Sequence, residues 1–187
     1  MLLKMTKLLR FPLEDKDCLK LLRAGDVVTI SGWILCGRDA THRKILNHLG
    51  RDFSFDFSGE LIYYVGPTPP PPGKVIGSCG PTTSSRLDPY LEPLLKLGLS
   101  ATMGKGKRGP RVKELLKEYK AIYLATFGGA GAYLSLFVEK MELIAFPELG
   151  PEAFFRLKVK DFPAIVINDI YGNDFYEEVA STANFPA

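Results

Sequence analysis

Cysteine is scarce in this sequence: Cys18, Cys36 and Cys79 are the only three in 187 residues, with no CxxC spacing among them. An odd, scattered set does not suggest a disulfide framework and suits a reducing compartment, so a cytoplasmic protein is expected. Histidine is scarcer still. His42 and His48 are each too isolated from other metal-ligating residues to suggest a metal site, and both read as ordinary hydrogen-bonded side chains. Charge of one sign is also lacking: 24 Lys and Arg stand against 21 Asp and Glu, a net charge of +3. That is too little to announce a nucleic-acid binder. The longest apolar runs, such as Ala121 to Phe127, fall far short of the ~20 residues that span a bilayer, so no membrane association is expected. Met1 to Pro12 lacks the sustained apolar stretch of a secretory signal.

What remains is ordinary globular composition, 46% hydrophobic and 24% charged, which argues against disorder. A chain of this length buries roughly 70% of its unfolded surface, enough for one core without staples. One domain over residues 1–187 is therefore expected. Pro67-Thr-Pro-Pro-Pro-Pro72 places five prolines in six positions. It favours extended polyproline II and reads as a stiff loop at 67–72 inside that domain.

Hydrophobic patterning predicts an α/β fold. Leu13 to Ala24 reads as a helix burying Leu19 and Leu22, closed by Gly25, and Val27 to Leu35 as a strand with Val28, Ile30 and Ile34 in step. Asp39 is placed to cap a helix running to Leu49, stopped by Gly50. Strands are predicted at Leu61 to Val65, Val75 to Ser78, Ser100 to Met103, Ala121 to Phe127, Met141 to Ala145, Phe155 to Val159 and Ala164 to Ile167. Helices are predicted over Pro81 to Gly98, broken by Pro89 and Pro93, over Val112 to Tyr119, and over Tyr133 to Lys140.

Three segments share a design in which a strand ends, glycine or proline turns the chain, and polar residues open the next element. They are Gly37-Arg-Asp-Ala-Thr-His42, Gly77 to Arg86, and Met103 to Gly109. Ligands collect where such loops converge at the carboxyl ends of strands. Each segment offers a cation: Arg38, Arg86 and Lys105. Arg86 lies four residues after Thr82, so the two share a helical face, and a guanidinium beside a hydroxyl suits a carboxylate. Thr82 or Thr83 could equally cap the next helix and leave Arg86 solvated, just as Arg38 and Asp39 could form only a local ion pair. Lys105 to Lys113 carries five basic residues in nine positions, a phosphate grip by charge alone. It lacks interleaved aromatics and the spacing of a P-loop. Gly128-Gly-Ala-Gly131 fails the full GxGxxG pattern and implies instead a close backbone approach to a neighbour. The spacing of the cysteines also argues against an iron–sulfur cluster held by this chain alone.

These residues carry a resemblance to a known family. Gly37-Arg-Asp-Ala-Thr-His42, Gly80-Pro-Thr-Thr-Ser-Ser-Arg86, Gly104-Lys-Gly106 and Phe162-Pro-Ala-Ile-Val-Ile-Asn-Asp169 resemble the β subunit, or carboxyl-terminal half, of class I fumarate hydratases, a family that includes the tartrate dehydratase β subunit. Thr41 and Cys79 depart from the family's common alanines, and neither touches a cationic position. The resemblance implies a swivelling β/β/α domain that closes over a [4Fe–4S] cluster held by a partner α subunit, with no metal ligand in this chain. It implies Arg38, Arg86 and Lys105 as ligands of a small dicarboxylate substrate and Thr82 as catalytic base, with Asp39, His42 and Thr83 in support. The activity implied is interconversion of (S)-malate with fumarate and water, or dehydration of L(+)-tartrate to oxaloacetate, in a higher oligomer of αβ units. A nucleic-acid-binding module using Lys105 to Lys113 is the reading from another class.

Overall fold

The computed structural model describes residues 6–182. Its strands are β1 (Lys7–Phe11), β2 (Val27–Cys36), β3 (Leu61–Tyr63), β4 (Ala101–Gly104), β5 (Ile122–Ala125), β6 (Val138–Ala145) and β7 (Phe154–Asn168). β1 to β5 lie side by side and parallel, in chain order. β7 returns antiparallel and pairs with both β5 and β2, so the pairings close a circuit through β2, β3, β4, β5 and β7. β6 pairs antiparallel with the first part of β7. The architecture is mixed α/β.

Parallel neighbours need crossovers, and three of these carry helices: α1 (Asp39–His48), α2 (Asp88–Lys96) and α3 (Pro110–Glu118). α3 starts with Pro110, which needs no backbone partner there, and buries Val112, Leu115 and Leu116 at helical spacing. The sheet sorts its side chains by alternation. Leu61 and Tyr63 join the cluster enclosed by the strand circuit, whereas Ile62 and Tyr64 join a second cluster beneath α1, α2 and α3. Because β2 to β5 point the same way, the loops after all four emerge at one end.

Several predicted elements change. Leu13 to Ala24 is not an α-helix; only Lys16–Leu21 turns, as a 3-10 helix started by the Asp15 side chain, with Leu19 and Leu22 buried as expected. Asp39 is the first helical residue of α1, not its cap, and its carboxylate is engaged elsewhere. Val75 to Ser78 is no strand, because its hydrogen bonds go to Thr68 across the proline loop and not to the sheet. The break before α2 falls at a 3-10 turn, Ser84–Leu87, ahead of both prolines; Pro89 sits in the first turn and Pro93 inside α2. Tyr133 to Lys140 holds no long helix. A short α4 (Gly131–Leu134) and a 3-10 turn give way to β6 at Val138. The two strands expected near the end are one, β7, which runs through Asp161 at a φ of 53° and past Pro163. β1 and a final helix α5 (Phe175–Thr182) lie in stretches where no element was predicted.

Candidate active site

The end of the sheet where β2 to β5 terminate collects the three motif segments. Arg38 follows β2 and is the N-cap residue of α1. Lys105 follows β4 directly. The segment after β3 reaches the same place by backbone pairing: Thr82 N–H donates to Tyr64 O at 2.8 Å, Lys105 N–H to Thr82 O at 3.2 Å, and Ser84 N–H to Lys105 O at 3.0 Å. Thr83 and Lys105 thus form an isolated parallel bridge. Gly104 makes this approach possible, since a Cβ there would sit 2.1 Å from Ser84 Oγ.

Two residues far apart in sequence lock the junction. Ser84 Oγ accepts from Lys105 N–H at 3.1 Å and lies 3.0 Å from the Tyr123 hydroxyl, which donates to Gly106 O at 2.7 Å. Ser84 and Tyr123 are both fully buried, so this network exchanges with little water and fixes the start of the Lys105 loop.

Above it, Arg86 Nη2 donates to Thr82 Oγ1 at 2.9 Å and lies 3.2 Å from an Asp39 carboxylate oxygen. The expected contact of Thr82 with Arg86 is made, but not on a shared helical face, since Thr82 lies in extended chain ahead of the turn, and the capping role is not taken up either. The turn from Ser84 to Leu87 has only four residues and Thr83 makes no side-chain cap bond. Arg38 Nη2 stands 3.6 Å from Glu152, whose other carboxylate oxygen accepts from Ala40 N–H at 2.9 Å and whose carbonyl accepts from Thr41 Oγ1. Glu152 was not foreseen, and with 112 residues separating it from Ala40 no local pattern could have indicated it. These guanidiniums are a third to a half exposed, so each ion pair is worth at most about 1 kcal/mol and exchanges readily for an incoming carboxylate.

The basic run after β4 divides in the same way. Arg108 is buried against Asp88, Lys107 and Lys113 pair with Glu177, and Arg111 pairs with Glu92 and Glu114. Lys105 is the member of the run with no carboxylate partner among the described residues. The charge that suggested a phosphate grip is largely neutralised inside the protein. Gly131 makes the close backbone approach expected of the glycine-rich loop: its carbonyl accepts from Cys79 N–H, and a Cβ on it would lie 2.7 Å from Gly80 N.

A match to the model of the fumarase C-terminus covers residues 5–179. The chain belongs to the fumarase C-terminal family. This fumarase C-terminal domain is 36% identical to the aerobic class I fumarate hydratase of Escherichia coli over 83% of its own length and 29% of that protein's. The corresponding aerobic enzyme of Salmonella typhimurium is 36% identical over 83% of this chain and 27% of its own length. A Methanocaldococcus jannaschii protein, named as an L(+)-tartrate dehydratase subunit beta, is 38% identical over 89% of both chains. The domain thus spans under a third of these two class I fumarate hydratases and nearly all of the separate-subunit relative. The names of these relatives describe hydro-lyases, which add or remove water.

His42 sits beneath the cations, 1% exposed, with Nδ1 2.7 Å from Arg38 O and its ring against Tyr64 and Tyr90. That carbonyl can only accept, so Nδ1 carries a proton, whichever charge state the ring is in. Burial lowers its pKa from 6.5 to about 4, with nearby Arg108 acting in the same direction and Asp39 opposing. Unfolded, His42 takes a proton near 6.5. Its contribution to stability is therefore full above that pH and is lost as the pH falls towards 4, by about 3 kcal/mol in all. Glu60 works the other way: burial, with Asp56 adding to it, raises its pKa from 4.5 to about 7, so its ionisation costs stability as the pH rises through that window. Urea unfolding of the parent and of His42→Gln at pH 7 and 4.5 separates the two. The parent's advantage at pH 7 is expected to shrink at 4.5, and an unchanged gap would contradict the assignment.

Proposed function

We propose that this domain supplies the cationic half of a hydro-lyase active site that interconverts (S)-malate with fumarate and water, the other half coming from an α subunit. What supports the reading is that the three loops carrying Arg38, Arg86 and Lys105 meet at the carboxyl ends of parallel strands, where Arg86 bonds Thr82 Oγ1 and the Lys105 N–H bonds Thr82 O. Two guanidiniums and an ammonium with no carboxylate partner among the described residues match the two carboxylates of a small dianion. Removing a proton beside a carboxylate builds a second negative charge on that group. Cations fixed in place beforehand stabilise this species more than the ground state, which is what accelerates the step. Thr82 is the proton acceptor in this reading. Arg86 Nη2 at 2.9 Å from its hydroxyl oxygen favours the ionised form that a base requires. Asp39 and the neutral His42 hold Arg86 and the Arg38 backbone in position, and Thr83 pairs with the Lys105 strand end.

The cofactor of this reading is a [4Fe–4S] cluster held by the α subunit. The thiols of this chain do not fit such a group. Cys36 and Cys79 are buried, and burial pushes both thiols up, Cys79 to about 12, away from the thiolate a metal needs. Among the described residues no three His, Cys, Asp or Glu side chains gather as a metal site. The assembly is a symmetric oligomer of αβ units in the cytoplasm. No helix among the described residues is long and apolar enough to cross a membrane.

The match over 89% of both chains to a protein named for tartrate favours a second substrate within the same chemistry. Assay of the reconstituted αβ enzyme with malate and with L(+)-tartrate decides between them. Faster turnover of malate is expected, and equal or faster turnover of tartrate would replace the first substrate by the second.

A further inference from the structure

From Ala121 to Val138, 18 consecutive residues carry no charge, in a chain that is 24% charged. The core explains only the first part, where β5 is buried. Beyond it the chain comes to the surface and stays uncharged, with Phe127 46%, Tyr133 52% and Leu136 72% exposed. Single exposed apolar side chains are normal, but these belong to one surface segment beside a cleft. The cleft, of about 430 Å³, lies between Ala132 and Leu136 on one wall and Val75 and Ile76, beyond the proline loop, on the other, with Lys74 its one charged lining residue.

The same segment touches the cationic site twice. A Cβ on Gly128 would lie 3.3 Å from Lys105 Cδ, and Gly131 packs on Gly80, two residues before Thr82. A polypeptide that closes over the cations therefore comes next to this segment. Charge depletion with Phe and Tyr is the composition of an interface core. The class I fumarate hydratases show what is available to cover it, since more than two thirds of each lies outside the matched region.

We infer that the uncharged surface of residues 127–136, with the Val75–Ile76 wall of its cleft, is where the α subunit docks, an inference that rests on the shared-site reading above. The α subunit presents a complementary apolar surface there and meets the cations next to it. The probe is the source organism's own polypeptide that matches the remainder of class I fumarate hydratases, co-expressed and titrated against this chain. Leu136→Asp is expected to weaken association at least about 10-fold, because it places an unpaired charge in a desolvated interface. Its own melting temperature should stay unchanged, since Leu136 faces water. Leu21→Asp, equally exposed at 72% but outside this cleft, is the control and should bind normally. Should Leu136→Asp melt early, Tyr133→Ser carries the same expectation. Normal association of a folded Leu136→Asp or Tyr133→Ser, or equal weakening by Leu21→Asp, overturns the docking face. If such a variant assembles fully while Arg86→Ala is inactive, the docking face alone is wrong. If the unaltered chain does not bind the polypeptide at all, the shared site falls with it.

Discussion

Replacing Arg86 by alanine in the assembled enzyme is expected to lower kcat/KM for malate by on the order of 10²–10³-fold, the usual loss when one preorganised donor to a developing oxyanion is removed. Arg86 donates to Thr82 Oγ1 at 2.9 Å and lies 3.2 Å from Asp39, so in the proposed site it links the cations to the proton acceptor. Stability should barely change, because the side chain is 48% exposed and its ion pair is worth little. Arg86→Lys should recover only part of the loss, since an ammonium cannot hold Thr82 and a carboxylate in one planar fork. Steady-state kinetics with thermal melting checks both halves. Unchanged kcat/KM in a folded Arg86→Ala enzyme would mean that this chain pairs with its companion without taking part in the chemistry.

The second large effect is on stability. Asp88→Ala is expected to cost about 3–5 kcal/mol in urea unfolding, because it strands a buried guanidinium. Arg108 is 1% exposed and lies over the rings of Tyr64 and Tyr123, with Asp88 taking its Nε–H and Thr102 Oγ1 its Nη1–H. Asp88 also accepts from Gly109 N–H at 2.8 Å, so the variant loosens the far end of the Lys105 loop as well. Replacing both partners, as Asp88→Leu with Arg108→Met, should restore most of the loss, since no charge is then left buried. A single-variant cost below about 1 kcal/mol would show that water reaches Arg108 and that the pair is not structural.

Much of this molecule is written locally in the chain. The α/β class, α1, α3 and the strands at β2, β4 and β5 follow from the spacing of apolar residues and from their punctuation by Gly50, Pro110 and the Gly128-Gly129 pair. The contact between Thr82 and Arg86 is made as expected, but by extended chain leading into a 3-10 turn and not by the helical spacing that suggested it. Local preference gives way where a partner distant in sequence overrides it. Val75 to Ser78 has the composition of a strand, yet Thr68 satisfies its backbone. The stretch from Phe154 to Asn168 contains a proline and a left-handed residue, yet pairing with β2, β5 and β6 keeps it one strand.

The sequence by itself settled which groups exist: three candidate cations, a threonine, scattered cysteines, and short-range patterns that set helix against strand. Tertiary structure alone decided which of those cations stay available. It buried Arg108 on Asp88, tied Lys107 and Lys113 to Glu177, placed Glu152 beside Arg38, and left Lys105 without a carboxylate among the described residues. The reason is physical. Helical periodicity and turn chemistry act over a few residues, whereas charge pairing and burial depend on distance in space, which only the folded sheet determines.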